Sequence, residues 1–161
     1  MMNISIIGAG YVGLITGVGF AKLGNKVSIV DLNHDLIQKL NNNQMPFYEP
    51  DLEDNIKNHE VAENIFFYSD YESSIDKNTD MVFVCVQTPT DFESGKTDTT
   101  YLKNVLVKLN NFNNYEFTIC IKSTVNSKLI ENICKEINLE YEKIIFNPEF
   151  LREGSALFDF F

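Results

Sequence analysis

The sequence predicts an α/β fold: a doubly wound, mostly parallel sheet of six or more strands with helices on both faces. Three observations predict it. Short β-branched or aromatic runs alternate with helix-length segments along the chain, the order that builds right-handed βαβ units. The run Met81-Val82-Phe83-Val84-Cys85-Val86 is apolar without alternation, as expected of a strand buried on both faces of a parallel sheet. A glycine cluster then falls between the first strand-like run and the first helix-like one.

Taken in order, residues 3–7, 26–30, 65–68, 81–86, 117–121 and 144–146 read as strands. Residues 11–23, 35–42, 52–58, 100–110 and 127–137 read as helices. Asparagine-rich stretches at 41–43 and 110–114 mark polar turns. No repeat or low-complexity linker interrupts the series. A chain of 161 residues therefore reads as one domain with an ordinary core.

Hydrophobic residues make up 44% and charged residues 22%, which excludes disordered and fibrous classes. A formal net charge of -10 argues against nucleic acid and anionic membrane surfaces as partners. Cys85, Cys120 and Cys134 form no close pair and no metal-ligand pattern, so reduced thiols and no metal site are expected. Residues 4–21 carry no charged side chain and are long enough for a membrane span. No basic residue precedes them and glycines recur at 8, 10, 13, 17 and 19, so a strand and helix are the better reading, with a cytoplasmic location. At least one of Gly17 and Gly19 is expected to face a neighbour at close range, because helical glycine is otherwise destabilising.

The segment Gly8-Ala9-Gly10-Tyr11-Val12-Gly13 has the spacing and setting of the dinucleotide fingerprint of the Rossmann fold. Gly8 permits the tight turn, Gly10 lets the backbone approach a pyrophosphate, and Gly13 lets the helix pack closely. The helix start, with Tyr11 and Val12, supplies N–H donors and a partial positive charge. Asp31 ends the second strand at the position of the ribose-binding acid, where a carboxylate favours NAD over NADP. An acid capping the next helix is the other reading of Asp31.

Five motifs then occur in order. They are the fingerprint, Tyr48-Glu49-Pro50, Thr88-Pro89-Thr90, Lys122-Ser123-Thr124-Val125 and Asn147-Pro148-Glu149-Phe150-Leu151-Arg152-Glu153-Gly154. Together they resemble the UDP-glucose and GDP-mannose dehydrogenase family, and the match spans the chain. The last three motifs follow predicted strands, at the edge where doubly wound sheets bind ligands.

The resemblance implies an NAD-dependent enzyme that oxidises the hexose primary alcohol of a nucleotide sugar twice, through an aldehyde and a cysteine thioester that water hydrolyses. UDP-glucose is the expected substrate. By the same resemblance Thr124 and Glu149 hold and activate the water, and Val86, Thr88, Pro89, Thr90, Ser123 and Thr124 wall the cofactor. The resemblance also places Glu149, Phe150, Leu151, Arg152 and Glu153 along the sugar-nucleotide site, with Glu153 near the cofactor too. Each has a plainer reading: Thr88 and Pro89 as a strand-ending turn, Ser123 as a helix cap, Glu149 as a surface acid, Arg152 in a surface ion pair.

Two departures stand out. Asn126-Ser127-Lys128 replaces the Pro- and Gly-containing turn usual in the family, and none of the three cysteines corresponds to the family's nucleophile. That cysteine, with its assisting lysine, asparagine and aspartate, belongs to later segments. The expectation is therefore residues 1–161 as the first domain, with a connecting helix, a second α/β domain and homodimer or higher-oligomer contacts absent. The apolar end at 156–161 reads as a cut edge. The alternatives are a stand-alone NAD-binding regulatory module, the first domain of a GDP-mannose dehydrogenase, or another dehydrogenase sharing only the Rossmann core.

Overall fold

The computed structural model describes residues 1–93, 95–112 and 114–161. Asn113, in the asparagine-rich turn, lies outside the described residues. Strands β1 (Asn3–Ile7), β2 (Lys26–Val30), β3 (Ile65–Tyr68), β4 (Met81–Val84), β5 (Thr118–Ile121) and β6 (Ile144–Phe146) form one sheet. Its order is β3-β2-β1-β4-β5-β6, and all five pairings are parallel, so the expected mostly parallel sheet is parallel throughout. The strand order reverses between β1 and β4, which opens a crevice at their carboxyl ends.

The helices are α1 (Tyr11–Lys22), α2 (His34–Asn41), α3 (Leu52–Lys57), α4 (His59–Ala62), α5 (Tyr71–Ser74), α6 (Thr100–Asn110), α7 (Ser127–Ile137) and α8 (Ala156–Phe160). The short α4, α5 and α8 carry too little periodicity for sequence reading to find them. Asn33 caps α2 by accepting the Leu36 N–H at 3.1 Å, which starts that helix one residue earlier than expected. Asn58 ends α3 and caps α4.

Successive strand residues serve two cores. Ile4, Ile6, Val27, Ile29, Phe83 and Cys120 pack with α1 to α4 and α8, while Ile7, Val30, Val82, Val84, Ile119 and Ile121 pack with α5, α6 and α7. Helix α1 is buried nearly all round because β2, α3 and α8 cover it. Full burial of Leu14, Ile15 and Val18 stabilises the domain by about 1.5–3 kcal/mol each. The uncharged stretch at 4–21 is thus β1 followed by α1, and among the described residues no helix is long and apolar enough to cross a membrane.

Two strands are shorter than expected, β5 by one residue at its start and β4 by two at its end. β4 ends at Val84, whose carbonyl accepts both the Lys122 and Ser123 N–H groups, and the Val86 carbonyl accepts the Ser123 hydroxyl at 2.6 Å instead of continuing a ladder. Cys85 therefore leaves the strand and lines a cleft rather than lying within the sheet. The thiol of Cys85 is pushed by burial up to about 12, and the Cys120 thiol is also raised by burial, so both stay protonated.

Candidate functional site

The fingerprint turn forms as its glycines require. Gly8 adopts φ +105, and a Cβ there would meet the Cys85 carbonyl oxygen at 2.6 Å. A Cβ on Gly13 would stand 1.9 Å from the Gly8 carbonyl oxygen. Gly10 differs: a Cβ there would meet nothing within 4 Å. The side of the loop at Gly10 faces open space, as close approach of a phosphate demands. The first intrahelical bond of α1 runs from Leu14 N–H to the Gly10 carbonyl, so the preceding N–H groups have no partner within the helix.

Asp31 follows β2 and accepts the Ala9 N–H through Oδ2 and the Asn33 N–H through Oδ1, both at 2.9 Å. It is fastened to the fingerprint loop, and Asn33, not Asp31, caps the next helix. These features fit a dinucleotide: an open cradle at Gly10, a helix start with undirected N–H donors, and a carboxylate held beside the loop.

The first turn of α1 and the loops after β4, β5 and β6 meet in a cleft of about 180 Å³ lined by Val12, Cys85, Val86, Thr88, Lys122, Ser123, Thr124 and Glu149. Hydrogen bonds tie its walls together. Thr88 Oγ1 donates to the Thr124 carbonyl at 2.9 Å, and Lys122 Nζ donates to Asn147 Oδ1 at 3.3 Å. Ser123 is buried with its hydroxyl on Val86, so it braces the wall, while Asn126 takes the cap of α7 by accepting the Lys128 N–H. That cap accounts for the asparagine of the Asn126-Ser127-Lys128 sequence.

Other expected residues stand outside this cleft. Pro89 and Thr90 are exposed, and Thr90 pairs with Thr97 in an antiparallel bridge. Glu149, by contrast, is one of the cleft residues, and its Oε2 accepts the Leu151 N–H of its own segment at 2.7 Å. Leu151 packs against the core and Phe150 is 87% exposed. Arg152 holds Asp159 with two side-chain donors, at 2.6 and 2.9 Å, which is the ion-pair alternative. Glu153 is exposed, and its charge helps to raise the Tyr11 hydroxyl.

Sequence reasoning gave no role to Glu49, although it stood in the Tyr48-Glu49-Pro50 motif. The structure buries it at 4% exposure against Tyr11 and the 154–156 backbone. An acid between an aromatic residue and a proline was the available signal. A larger hollow of about 390 Å³, with Lys22, Asp51, Asp54 and Phe158 in its lining, lies at the other end of α1 and contains none of the expected site residues. Among the described residues no cluster of His, Cys, Asp and Glu is placed to hold a metal ion.

A parallel sheet in this order, with a glycine fingerprint, an anchored acid after β2 and a cleft at the switch point, defines a Rossmann-type dinucleotide-binding domain. The profile of the UDP-glucose/GDP-mannose dehydrogenase family, NAD binding domain, matches residues 2–161. The chain belongs to that family. It is 40% identical to the UDP-glucose 6-dehydrogenase of Rickettsia bellii over 99% of its own length and 37% of that protein's. It superposes on a GDP-mannose dehydrogenase from Pseudomonas aeruginosa with a TM-score of 0.86 at 27% identity, covering 99% of this chain and 38% of the other. For a UDP-glucose dehydrogenase from Pyrobaculum islandicum the TM-score is 0.83 at 31% identity, with coverage of 100% and 39%. The chain thus spans little more than a third of the length of these relatives.

Proposed function

We propose that this chain is the NAD-binding part of a UDP-glucose 6-dehydrogenase, the reaction being UDP-glucose, two NAD and water to UDP-glucuronate and two NADH. The observation that carries the reading is that Val12, Val86, Thr88, Ser123, Thr124 and Glu149, expected from separate motifs, line one cleft at the switch point. When bound, NAD accepts hydride. The chain's part is to bind and orient it: α1 N–H groups face the pyrophosphate, Asp31 takes the adenosine ribose, and the walls at 86–90 and 123–124 shape the nicotinamide side.

In this reading the Thr124 hydroxyl and Glu149 carboxylate would hold a water, and Glu149 would take its proton as the water oxygen bonds to the thioester carbon and the C–S bond breaks, releasing the acid and the thiol. The 149–153 segment borders the nucleotide sugar. The remaining machinery, including the nucleophilic thiol and dimer contacts, belongs to further segments, which the chain's share of its relatives' length supports. A cytoplasmic location agrees with three unpaired cysteines. A GDP-mannose dehydrogenase is the second reading, favoured by the fit to the Pseudomonas aeruginosa enzyme.

Calorimetric titration of the chain with NAD and NADP tests the assignment, followed by UDP-glucose or GDP-mannose on the NAD-saturated chain with absorbance recorded for NADH. NAD binding without NADP binding or turnover is expected, with UDP-glucose the sugar nucleotide that adds heat. Failure to bind either dinucleotide removes the cofactor reading, heat with GDP-mannose alone favours the second reading, and steady NADH production refutes the need for further segments.

A further inference from the structure

The carboxylate of Glu49 is buried where three distant segments meet. Oε2 accepts the Tyr11 hydroxyl and the Gly154 N–H, both at 2.8 Å, and Oε1 accepts the Ala156 N–H at 2.8 Å. Tyr11 opens α1, directly after Gly10 of the phosphate loop, and Ala156 opens α8. Helix α8 has five residues, too few to be stable alone, and Ser155 gives it no side-chain cap because its hydroxyl bonds Asp159. Glu49 supplies that cap from more than a hundred residues away.

We propose that Glu49 is a positioning residue: through the Tyr11 hydroxyl it fastens the Gly154 and Ala156 backbone to the first turn of α1, so that seating a dinucleotide there also sets the 149–153 segment. The ionised carboxylate is what the geometry requires. Three donors converge on two oxygens, whereas a glutamine offers one carbonyl oxygen and turns an NH₂ group toward a donor in either orientation. Burial acts to raise this carboxyl, but the Gly154 and Ala156 N–H groups and the Tyr11 hydroxyl outweigh it and hold it below its ordinary value. The tyrosine is raised in turn, by burial first and then by Glu49, which keeps its proton on the shared bond. No titration is needed for the coupling, since the contact is one bond from helix to carboxylate and two from carboxylate to loop.

The link to dinucleotide seating rests on the proposed function, but the fastening of the loop does not, and the test separates them. Amide exchange and ¹H–¹⁵N spectra would be recorded on the wild-type chain, Glu49→Gln and Tyr11→Phe, without NAD and during an NAD titration. In Glu49→Gln, exchange at Gly154 and Ala156 is expected to accelerate about tenfold or more, with Ile6 and Ile29 in the sheet unchanged. In the wild type these two amide signals should move with NAD saturation, and in Tyr11→Phe they should no longer follow it. Unchanged protection in Glu49→Gln, or amides that track NAD equally in Tyr11→Phe, would overturn the proposal. Should Glu49→Gln fail to fold, Tyr11→Phe decides alone. Absence of NAD binding by the wild type would sink the cofactor reading and leave exchange in Glu49→Gln to decide whether Glu49 fastens the loop.

Discussion

The Gly8 carbonyl oxygen lies where a side chain on Gly13 would begin: a Cβ there would be 1.9 Å from it. The helix start and the fingerprint turn are in backbone contact, and neither can give. Gly13→Ala should destabilise the chain by about 3 kcal/mol or more, or prevent folding, as read from urea unfolding. Gly10→Ala should cost no more than about 1 kcal/mol of stability by urea unfolding, the ordinary cost of alanine at a helix N-cap, because its Cβ meets only open space. Its NAD affinity should nonetheless fall about tenfold or more by calorimetry, since that space is where a phosphate must approach. Wild-type affinity in a folded Gly10→Ala would refute the location of the cradle.

Asp31 separates cofactor recognition from loop bracing. Asp31→Asn keeps the shape and one acceptor, and Asp31→Ala removes the Ala9 and Asn33 bonds altogether. Both should lose about tenfold to a hundredfold in NAD affinity, while stability should fall by about 1–2 kcal/mol in Asp31→Ala and by less in Asp31→Asn, whose NH₂ group faces only one of the two N–H donors. Equal NAD affinity in Asp31→Asn and wild type would mean that the carboxylate only braces the loop.

Gly19 and Phe160 should show coupled energetics. A Cβ on Gly19 would stand 2.4 Å from the Phe160 ring, which also meets Phe20 edge-on at 5.2 Å between centroids. Gly19→Ala should destabilise by about 1 kcal/mol in the wild type by displacing that ring. With Phe160→Ala already made, the same change should stabilise by up to about 1 kcal/mol, the ordinary gain of alanine over glycine within a helix. A double-mutant cycle from urea midpoints checks the reversal of sign.

Acid should loosen the 149–160 region first. Arg152 holds the Asp159 carboxyl down to about 2 from 3.8, and the donors on Glu49 hold it below 4.5 despite burial. Groups lowered on folding contribute fully above their unfolded values, and that contribution is lost as pH falls through the folded ones. Between about pH 6 and about pH 3 the urea midpoint should therefore fall, and the fall should be smaller in Glu49→Gln and Asp159→Asn, which start lower. Identical slopes in all three chains would contradict these shifts.

Much of the fold could be read from the sequence because its signals are local. Apolar runs marked all six strands, and the glycine spacing located the fingerprint turn. The β4 end falls two residues before the expected one, since its termination depends on Ser123 reaching Val86 from the loop after β5. The sequence predicts that at least one of Gly17 and Gly19 meets a neighbour, but only the folded chain shows that both do, against Ile29 and Phe160. The apolar segment at 156–161 was expected to be a cut edge; its Ala156 and Leu157 are buried against the domain, while Phe158 and Phe161 remain exposed.

By itself the sequence determined the parallel α/β order, the phosphate loop, the acid after β2 and the motifs at the strand ends, because each is encoded in contiguous residues or a fixed spacing. Tertiary structure alone decided that Arg152 faces Asp159, that Ser123 braces Val86, and that Glu49 gathers Tyr11, Gly154 and Ala156. The physical reason is the same in each case. A hydrogen-bonding side chain chooses among donors and acceptors brought within about 3 Å by folding, and no local pattern records which of them will arrive.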